Sequence, residues 1–365
     1  MTKHETHLAL LPSGFVDLLP PEAAQEAEAI AVLMREFASF GYERIKPPMV
    51  EFEDSLLAPG PGAALAGETF RVMDPVTHRM MGIRSDITPQ TARIASSRLA
   101  GEPRPLRLAY ANDVLRTKAS QQRTERQFCQ VGCELIGAGG AAAEIESCVL
   151  ALIGLDALGL KSVTIDLCLP QLVENIFDAF DVSDSDREEL RGAIERREQD
   201  GVERIKGPAA KLLAKIMTAS GGAEKILETL GDVPAEAKED IQKLEAVYTG
   251  LNKAAQELGL DVSVSIDPLE SRGFEYHSSI GFTLFAKGVR GELGRGGRYD
   301  VRFGEQQSGE TATGFTLYMD TIRRYLPEAP KKDVVNVALD ESWKTIREKQ
   351  KEGQIVVRDT KSKGS

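Results

Sequence analysis

The sequence predicts an α+β fold, an antiparallel sheet flanked by helices and interrupted by a helical insertion. Three observations predict it. Segments 106–116 and 127–136 alternate polar and apolar residues and are separated by the polar stretch TKASQQRTE, so they read as an antiparallel pair with one wet face. Strand patterns return at 262–303. Between these blocks, 171–258 has a helical period, is rich in Lys and Glu, and is almost free of aromatics.

In chain order, residues 1–20 read as an arm punctuated by Pro12, Gly14 and Pro20-Pro21. Prolines suit a helix start, and Ile30, Leu33, Met34, Phe37 and Phe40 then recur at helical spacing until Gly41. IKPPMVEF reads as a short strand, followed by the Pro/Gly/Ala-rich loop LAPGPGAALAGE. FRVMD and HRMMGIR read as a hairpin across Asp74–Thr77, and 86–98 as a helix. After the paired strands come a helix over 141–158 and the strand SVTIDLCL at 162–169. In the second strand block Ser278-Ser279-Ile280-Gly281 reads as a turn, and 314–326 as a closing helix. The domain division expected is a first core part at 1–170, an insertion at 171–258, a second core part at 259–330 and a short polar tail at 331–365.

Composition narrows the function. The 365 residues are 42% hydrophobic and 28% charged, enough for about two domains with a substantial core. Forty-five Lys and Arg against 56 Asp and Glu leave a net charge of −11, which disfavours nonspecific nucleic-acid binding by phosphate neutralisation. The longest apolar run, Val149–Leu160, carries Asp156 and falls short of the ~20 residues of a membrane span. The N-terminus lacks the long apolar run of a signal peptide, and four cysteines make no disulfide framework, so the reducing cytoplasm is the expected compartment.

The segment RQFCQVGCELI carries the most chemistry. Alternation puts Cys129, Val131, Cys133 and Leu135 on one face and Phe128, Gln130, Gly132 and Glu134 on the other. Gly132 leaves room for a ligand against the backbone, flanked by an amide and a carboxylate able to read ammonium or imidazole N–H groups. The preceding loop holds Arg116, Lys118, Arg123 and Arg126 against Glu125, which suggests an anion. The strand RGFEYH packs an arginine, an acid, a phenol and an imidazole together, and GRGGRYD follows with glycines that permit close backbone approach. Cys129 and Cys133 at i,i+4 on a strand are not zinc spacing, His4 and His7 fall in the arm, and no metal or cofactor is expected. Gly137–Ala142 fits a dinucleotide fingerprint with Asp166 downstream, but the strand before it carries Gln127, Gln130 and Glu134, unlike the apolar buried strand of that motif.

GFVDLLPPE, FGYERIKPP, IRSDITPQTAR, LR followed by RQFCQVGCELIG, RGFEYHS and GRGGRYD, in this order over about 1–330, resemble the motifs of class II histidyl-tRNA synthetases. The resemblance implies an amino-acid pocket of Asp86, Thr88, Arg116, Gln130, Glu134, Arg272, Tyr276 and His277. Asp86 stands for the usual glutamate, Glu275 for an aspartate and His277 for a tyrosine. The nucleotide side departs from the family: Thr117-Lys118 follow Arg116 where an acid is usual, and Thr321 replaces the ATP-binding arginine. From Pro327 to Ser365 there are 39 residues, below the ~50 of a domain, so no anticodon-binding domain is expected.

This combination resembles the regulatory subunits of ATP phosphoribosyltransferase. The resemblance implies a non-catalytic chain without aminoacylation activity, supporting the first step of histidine biosynthesis and its feedback regulation by histidine. It further implies a homodimer, formed through 1–60, that docks a short-form catalytic subunit, with histidine as ligand. Two other readings are a truncated active histidyl-tRNA synthetase and a dehydrogenase holding NAD at the Gly137 turn.

Overall fold

The computed structural model describes residues 10–119, 123–219, 222–274, 276–301, 309–327 and 334–359. His4, His7 and Glu275 lie outside them. The first of two compact units, Met1–Leu326, opens with α1 (Glu22–Ser39), β1 (Glu43–Arg44), β2 (Val50–Phe52), α2 (Glu53–Leu56), β3 (Phe70–Met73), β4 (Met80–Ile83) and α3 (Thr88–Ser96). Next come β5 (Leu106–Leu115), β6 (Gln127–Ile136), α4 (Ala141–Ala157) and β7 (Val163–Cys168). Six helices follow: α5 (Leu172–Ala179), α6 (Asp184–Glu195), α7 (Gln199–Arg204), α8 (Pro208–Thr218), α9 (Ala223–Leu230) and α10 (Lys238–Leu258). The unit closes with β8 (Val262–Ile266), β9 (His277–Ala286), β10 (Gly294–Val301), β11 (Glu310–Tyr318) and α11 (Met319–Ile322).

Among the described residues the main sheet has eight strands in the order β1-β5-β6-β11-β10-β9-β7-β8. Its centre is antiparallel as expected, while β1/β5 and β7/β8 pair in parallel at the two ends. Apolar residues of β6 at alternate positions (Cys129, Val131, Cys133, Leu135) face the core, with Leu33 and Phe37 of α1 and Leu150 and Leu155 of α4. Phe37 meets Phe315 edge to face, ring centroids 5.5 Å apart. The helices of 172–258 contribute Leu213, Leu230, Leu244 and Leu251 to the same apolar cluster.

The structure corrects several expectations. The second face of the central strands is not wet: β6 is buried from Phe128 to Ile136, because its polar residues meet polar partners rather than water. Gly132 leaves no room for a ligand. A Cβ there would lie 2.2 Å from the Phe315 carbonyl oxygen and 2.7 Å from the Tyr110 ring, so the glycine admits that tyrosine. IKPPMVEF is a strand only over Val50–Phe52, since Pro47 and Pro48 supply no N–H for pairing. Ser278–Gly281 is not a turn but part of β9; Ile280 is buried and Ser279 Oγ reaches Asp240 Oδ1 at 2.8 Å. Within RGFEYH, Arg272, Gly273, Phe274 and Tyr276 are not in a strand, and His277 starts β9. The helix over 314–326 is instead the end of β11, the single turn of α11 and a 3₁₀ turn at Arg323–Tyr325. Phe315 and Leu317 alternate with Thr316 and Tyr318, a period of two that feeds both faces.

The second unit, Pro327–Ser365, is not featureless. β12 (Val334–Val337) and β13 (Ile355–Arg358) pair in parallel across α12 (Trp343–Lys351). Ser342 caps that helix by accepting from the Thr345 N–H at 3.1 Å.

The fit of Tyr110 over Gly132 is testable. Because one clashing group is backbone, Gly132→Ala is expected to destabilise the fold by about 1–3 kcal/mol, read as a lower urea midpoint. An unchanged midpoint would contradict this packing.

Candidate functional site

On the face of the sheet away from α1 and α4, a cavity of about 660 Å³ is walled by β6, β9, β10 and β11, the start of α3 and the 61–68 loop. Glu134 stands at its inner end and is 2% exposed. Three hydroxyls converge on this carboxyl: Thr88 donates to Oε1 at 3.1 Å, Tyr110 to Oε1 at 3.4 Å, and Tyr299 to Oε2 at 2.9 Å. They come from α3, β5 and β10, so three elements are tied to one side chain. Burial pushes the Glu134 carboxyl up to about 8; the hydroxyl donors oppose the rise and Asp86 adds to it. Gly314 lies opposite Glu134 in the pairing of β11 with β6, and a Cβ there would meet Oε2 at 1.9 Å.

Asp86 sits just before α3. Its Oδ1 accepts from the Thr88 N–H at 2.9 Å and its Oδ2 from Gln130 Nε2 at 2.7 Å. Gln130 Oε1 accepts from the Ile87 N–H at 3.1 Å. Gln130 therefore anchors the start of α3 and orients Asp86, while Asp86 itself faces the cavity. Arg116 lines the cavity beside Asp86, 3.4 Å from Glu68 and 4.0 Å from Asp86. Tyr276 and His277 form a stacked wall, ring centroids 4.3 Å apart. Burial, with Arg295 nearby, pushes the His277 imidazole down to about 3, so the ring is neutral and adds no positive charge. Its Nδ1 is buried without a partner.

Of the eight residues expected here, six line the cavity: Asp86, Thr88, Arg116, Glu134, Tyr276 and His277. Gln130 stands behind them. Arg272 is not among them: it is exposed and pairs with Glu270 at 3.3 Å. Arg295 of β10 lines the cavity instead, held by Glu292 and by the Gly273 carbonyl at 3.0 Å. Gly273 has φ +78°, and a Cβ on it would collide with the Arg295 guanidinium, which explains the glycine. The only signal for Arg295 in the sequence was the GRGGRYD segment.

Of the four loop cations, Arg116 lines the cavity and the other three do not. Arg126 donates to the carbonyls of Arg116 and Ser13, Arg123 is buried beside Asp320 and Glu292, and Lys118 is exposed. Thr321 is buried, and Arg323 is taken up by Glu125 and Glu26. The Gly137 turn is not a dinucleotide site, because β6 runs between antiparallel neighbours β5 and β11 and α4 starts no parallel crossover. Asp166 bonds Ser265 Oγ at 2.8 Å instead. Among the described residues no group of three or more His, Cys, Asp or Glu is placed to hold a metal ion, and no helix is long and apolar enough to cross a membrane.

Fold and site together define a class II histidyl-tRNA-synthetase-like core, and a sequence model of the family described as Histidyl-tRNA synthetase matches residues 14–322. The ATP phosphoribosyltransferase regulatory subunit of Rhodospirillum centenum is 50% identical over 325 residues, 88% of this chain and 82% of its own. That of Rhodospirillum rubrum is 45% identical over 351 residues, 96% of this chain and 90% of its own. The chain belongs to the ATP phosphoribosyltransferase regulatory subunit family. The solved structure of an ATP phosphoribosyltransferase regulatory subunit/histidyl-tRNA synthetase from Bacillus halodurans shares the fold, with TM-score 0.82 at 22% identity, covering 98% of this chain and 94% of that one. An ATP phosphoribosyl transferase (HisG:HisZ) complex from Thermotoga maritima contains a chain of TM-score 0.62 at 18% identity, covering 80% of this chain and 97% of that one.

The displaced titration of Glu134 sets a pH dependence for the ligand-free protein. A carboxyl raised in the folded state binds its proton more tightly there than in the unfolded chain. Its contribution to stability therefore falls as pH rises from the unfolded value toward about 8. Glu134→Gln, which stays neutral, is expected to gain on the wild type by up to about 1.4 kcal/mol per pH unit over that interval. Parallel urea melts from pH 5 to 9 read the difference; curves that keep a constant separation would contradict the buried, proton-holding carboxyl.

Proposed function

We propose that this chain is a non-catalytic regulatory subunit of ATP phosphoribosyltransferase, supporting the first step of histidine biosynthesis, and that its cavity holds free histidine as the feedback signal. The regulatory role is supported by family membership at up to 50% identity. The observation that carries the histidine reading is the buried Glu134 carboxyl at the closed end of the cavity, ringed by hydroxyls. Ligand-free, this carboxyl holds its proton up to about pH 8; an imidazole N–H donated to it favours the ionised form, so in the complex it accepts that N–H as a carboxylate. Asp86, fixed by Gln130, takes the ammonium. Arg116 or Arg295 takes the carboxylate, in place of Arg272. The neutral His277 and Tyr276 close the side of the ring.

A bound imidazole N–H left without its acceptor costs roughly 1–3 kcal/mol. Glu134→Ala is therefore expected to weaken histidine binding about tenfold or more. Calorimetry on wild type and variant tests this. No heat from the wild type at millimolar histidine would overturn the histidine reading and place feedback on the catalytic subunit alone.

The partner is a short-form catalytic subunit, and the regulatory chain itself is a homodimer formed through residues 1–60. Exposed apolar side chains at Leu10, Leu11, Val16, Leu19, Phe40 and Met49 support that surface. Four buried free cysteines suit a reducing cytoplasm. Co-expression with a short-form catalytic subunit, size exclusion and a PRPP-plus-ATP assay are expected to show co-elution at a mass containing two copies of this chain, with raised activity. Separate migration at micromolar concentration with an unchanged rate would sink the proposal.

A further inference from the structure

The connection between β8 and β9 supplies one wall of the cavity. Gly273, Tyr276 and His277 line it, and the Gly273 carbonyl accepts from Arg295 Nη1 at 3.0 Å. The helical insertion holds this wall at three points. Gln171, at the start of α5, donates from Nε2 to the His277 carbonyl at 2.8 Å. Asp240 of α10 accepts from Ser279 Oγ at 2.8 Å. Arg197, between α6 and α7, donates from Nη1 to Asp267 Oδ1 at 3.1 Å and from Nη2 to Asp267 Oδ2, and its Nη2 lies 3.6 Å from Glu270 Oε2. Glu270 in turn accepts from the Arg272 N–H at 3.0 Å, one residue before the cavity-lining Gly273.

The backbone singles out Arg197 among the three. It follows Arg196, the residue that caps the C-terminus of α6, and has φ +57°. Its N–H bonds to the Ile194 carbonyl at 3.0 Å and the Glu198 N–H to the Ala193 carbonyl at 2.9 Å, so the helix ends on a left-handed residue. Glycine is the usual choice there, and a Cβ works against that conformation. The Arg197 side chain is 44% exposed, so burial does not account for it. What it does make is a forked pair with a carboxylate, the geometry that suits a guanidinium. We infer that Arg197 is a positioning residue for the cavity: its grip on Asp267 and Glu270 fixes the chain that leads to Gly273, so that the turn between α6 and α7 and this wall of the cavity move as one element. A ligand that tightens the wall then steadies the turn, and a partner seated on the turn changes ligand affinity by the same factor.

Hydrogen exchange of the full chain without ligand, read by mass spectrometry, tests the grip. The Phe274 N–H bonds to the Ser271 carbonyl at 3.1 Å and the His277 N–H to the Phe274 carbonyl at 2.9 Å, so both amides report the wall. Arg197→Gly removes the side chain and suits the backbone, and its urea midpoint is expected at or above that of the wild type. Exchange over 267–279 is nevertheless expected to rise about threefold, the scale of a half-exposed ion pair. Asp267→Asn is expected to raise the same exchange, and Arg197→Gly/Asp267→Asn to match Arg197→Gly, because both changes act on one contact. Unchanged exchange over 267–279, a lowered midpoint with a rise spread over the whole chain, or effects that add in the double variant would each overturn the positioning role. Histidine calorimetry on the same proteins rests on the histidine reading and is expected to show binding by Arg197→Gly about threefold weaker than by the wild type. Equal affinity would overturn the link between turn and cavity. No heat from the wild type would overturn the histidine reading alone, and the exchange result then decides the grip.

Discussion

One buried carboxyl organises the site. Glu134 is reached by Thr88 from α3, Tyr110 from β5 and Tyr299 from β10. A polar group at this depth is stable only when its lone pairs are met, and the three hydroxyls meet them from three separate elements. The surrounding glycines follow from the same constraint. Gly314 leaves room for the carboxyl, and Gly132 leaves room for the Tyr110 ring, whose hydroxyl also bonds Thr316 at 2.7 Å. The sheet is thus buried on both faces for different reasons: one packs hydrocarbon against α1 and α4, and the other packs hydroxyls and rings around a carboxyl.

The cavity mouth is held by a second tier of charge. Asp86 is positioned by Gln130 and by the first turn of α3, and Arg295 by Glu292 and the Gly273 carbonyl. These groups are oriented before any ligand arrives, which lowers the ordering cost of binding. Arg123 of the β5–β6 loop, and Arg323 and Arg324 after α11, are directed into internal contacts with Glu125, Glu292 and Asp320. Under the proposed histidine reading, coupling to a partner would require that the ligand bind the two states of the assembly unequally.

Much of this was legible in the sequence. The period of two in RQFCQVGCELI assigns Glu134 and Gln130 to one face and the cysteines to the other, and the structure keeps that division. Motif order brings Asp86, Thr88, Arg116, Tyr276 and His277 to the same cavity. What was not legible depends on contacts between distant segments. Alternation cannot tell water from a ring of hydroxyls, so the polar face of β6 read as wet. Arg295 reaches the cavity through the pairing of β10 with β9 and β11 and holds the Gly273 carbonyl, while Arg272 turns outward to Glu270. The stretch from Gly314 onward read as a helix because its period of two emerges only when Phe315 is seen against Phe37 and Tyr318 against Phe128.

The central claim is that the Glu134 carboxyl receives a ring N–H of bound histidine. NMR of histidine labelled with ¹⁵N in the imidazole, bound to the wild-type protein, tests this most directly. The account predicts one ring N–H proton that is shifted downfield and protected from exchange, and that moves upfield in Glu134→Gln. Ring protons that exchange as fast as in free histidine, or a protected proton unchanged by Glu134→Gln, would contradict it.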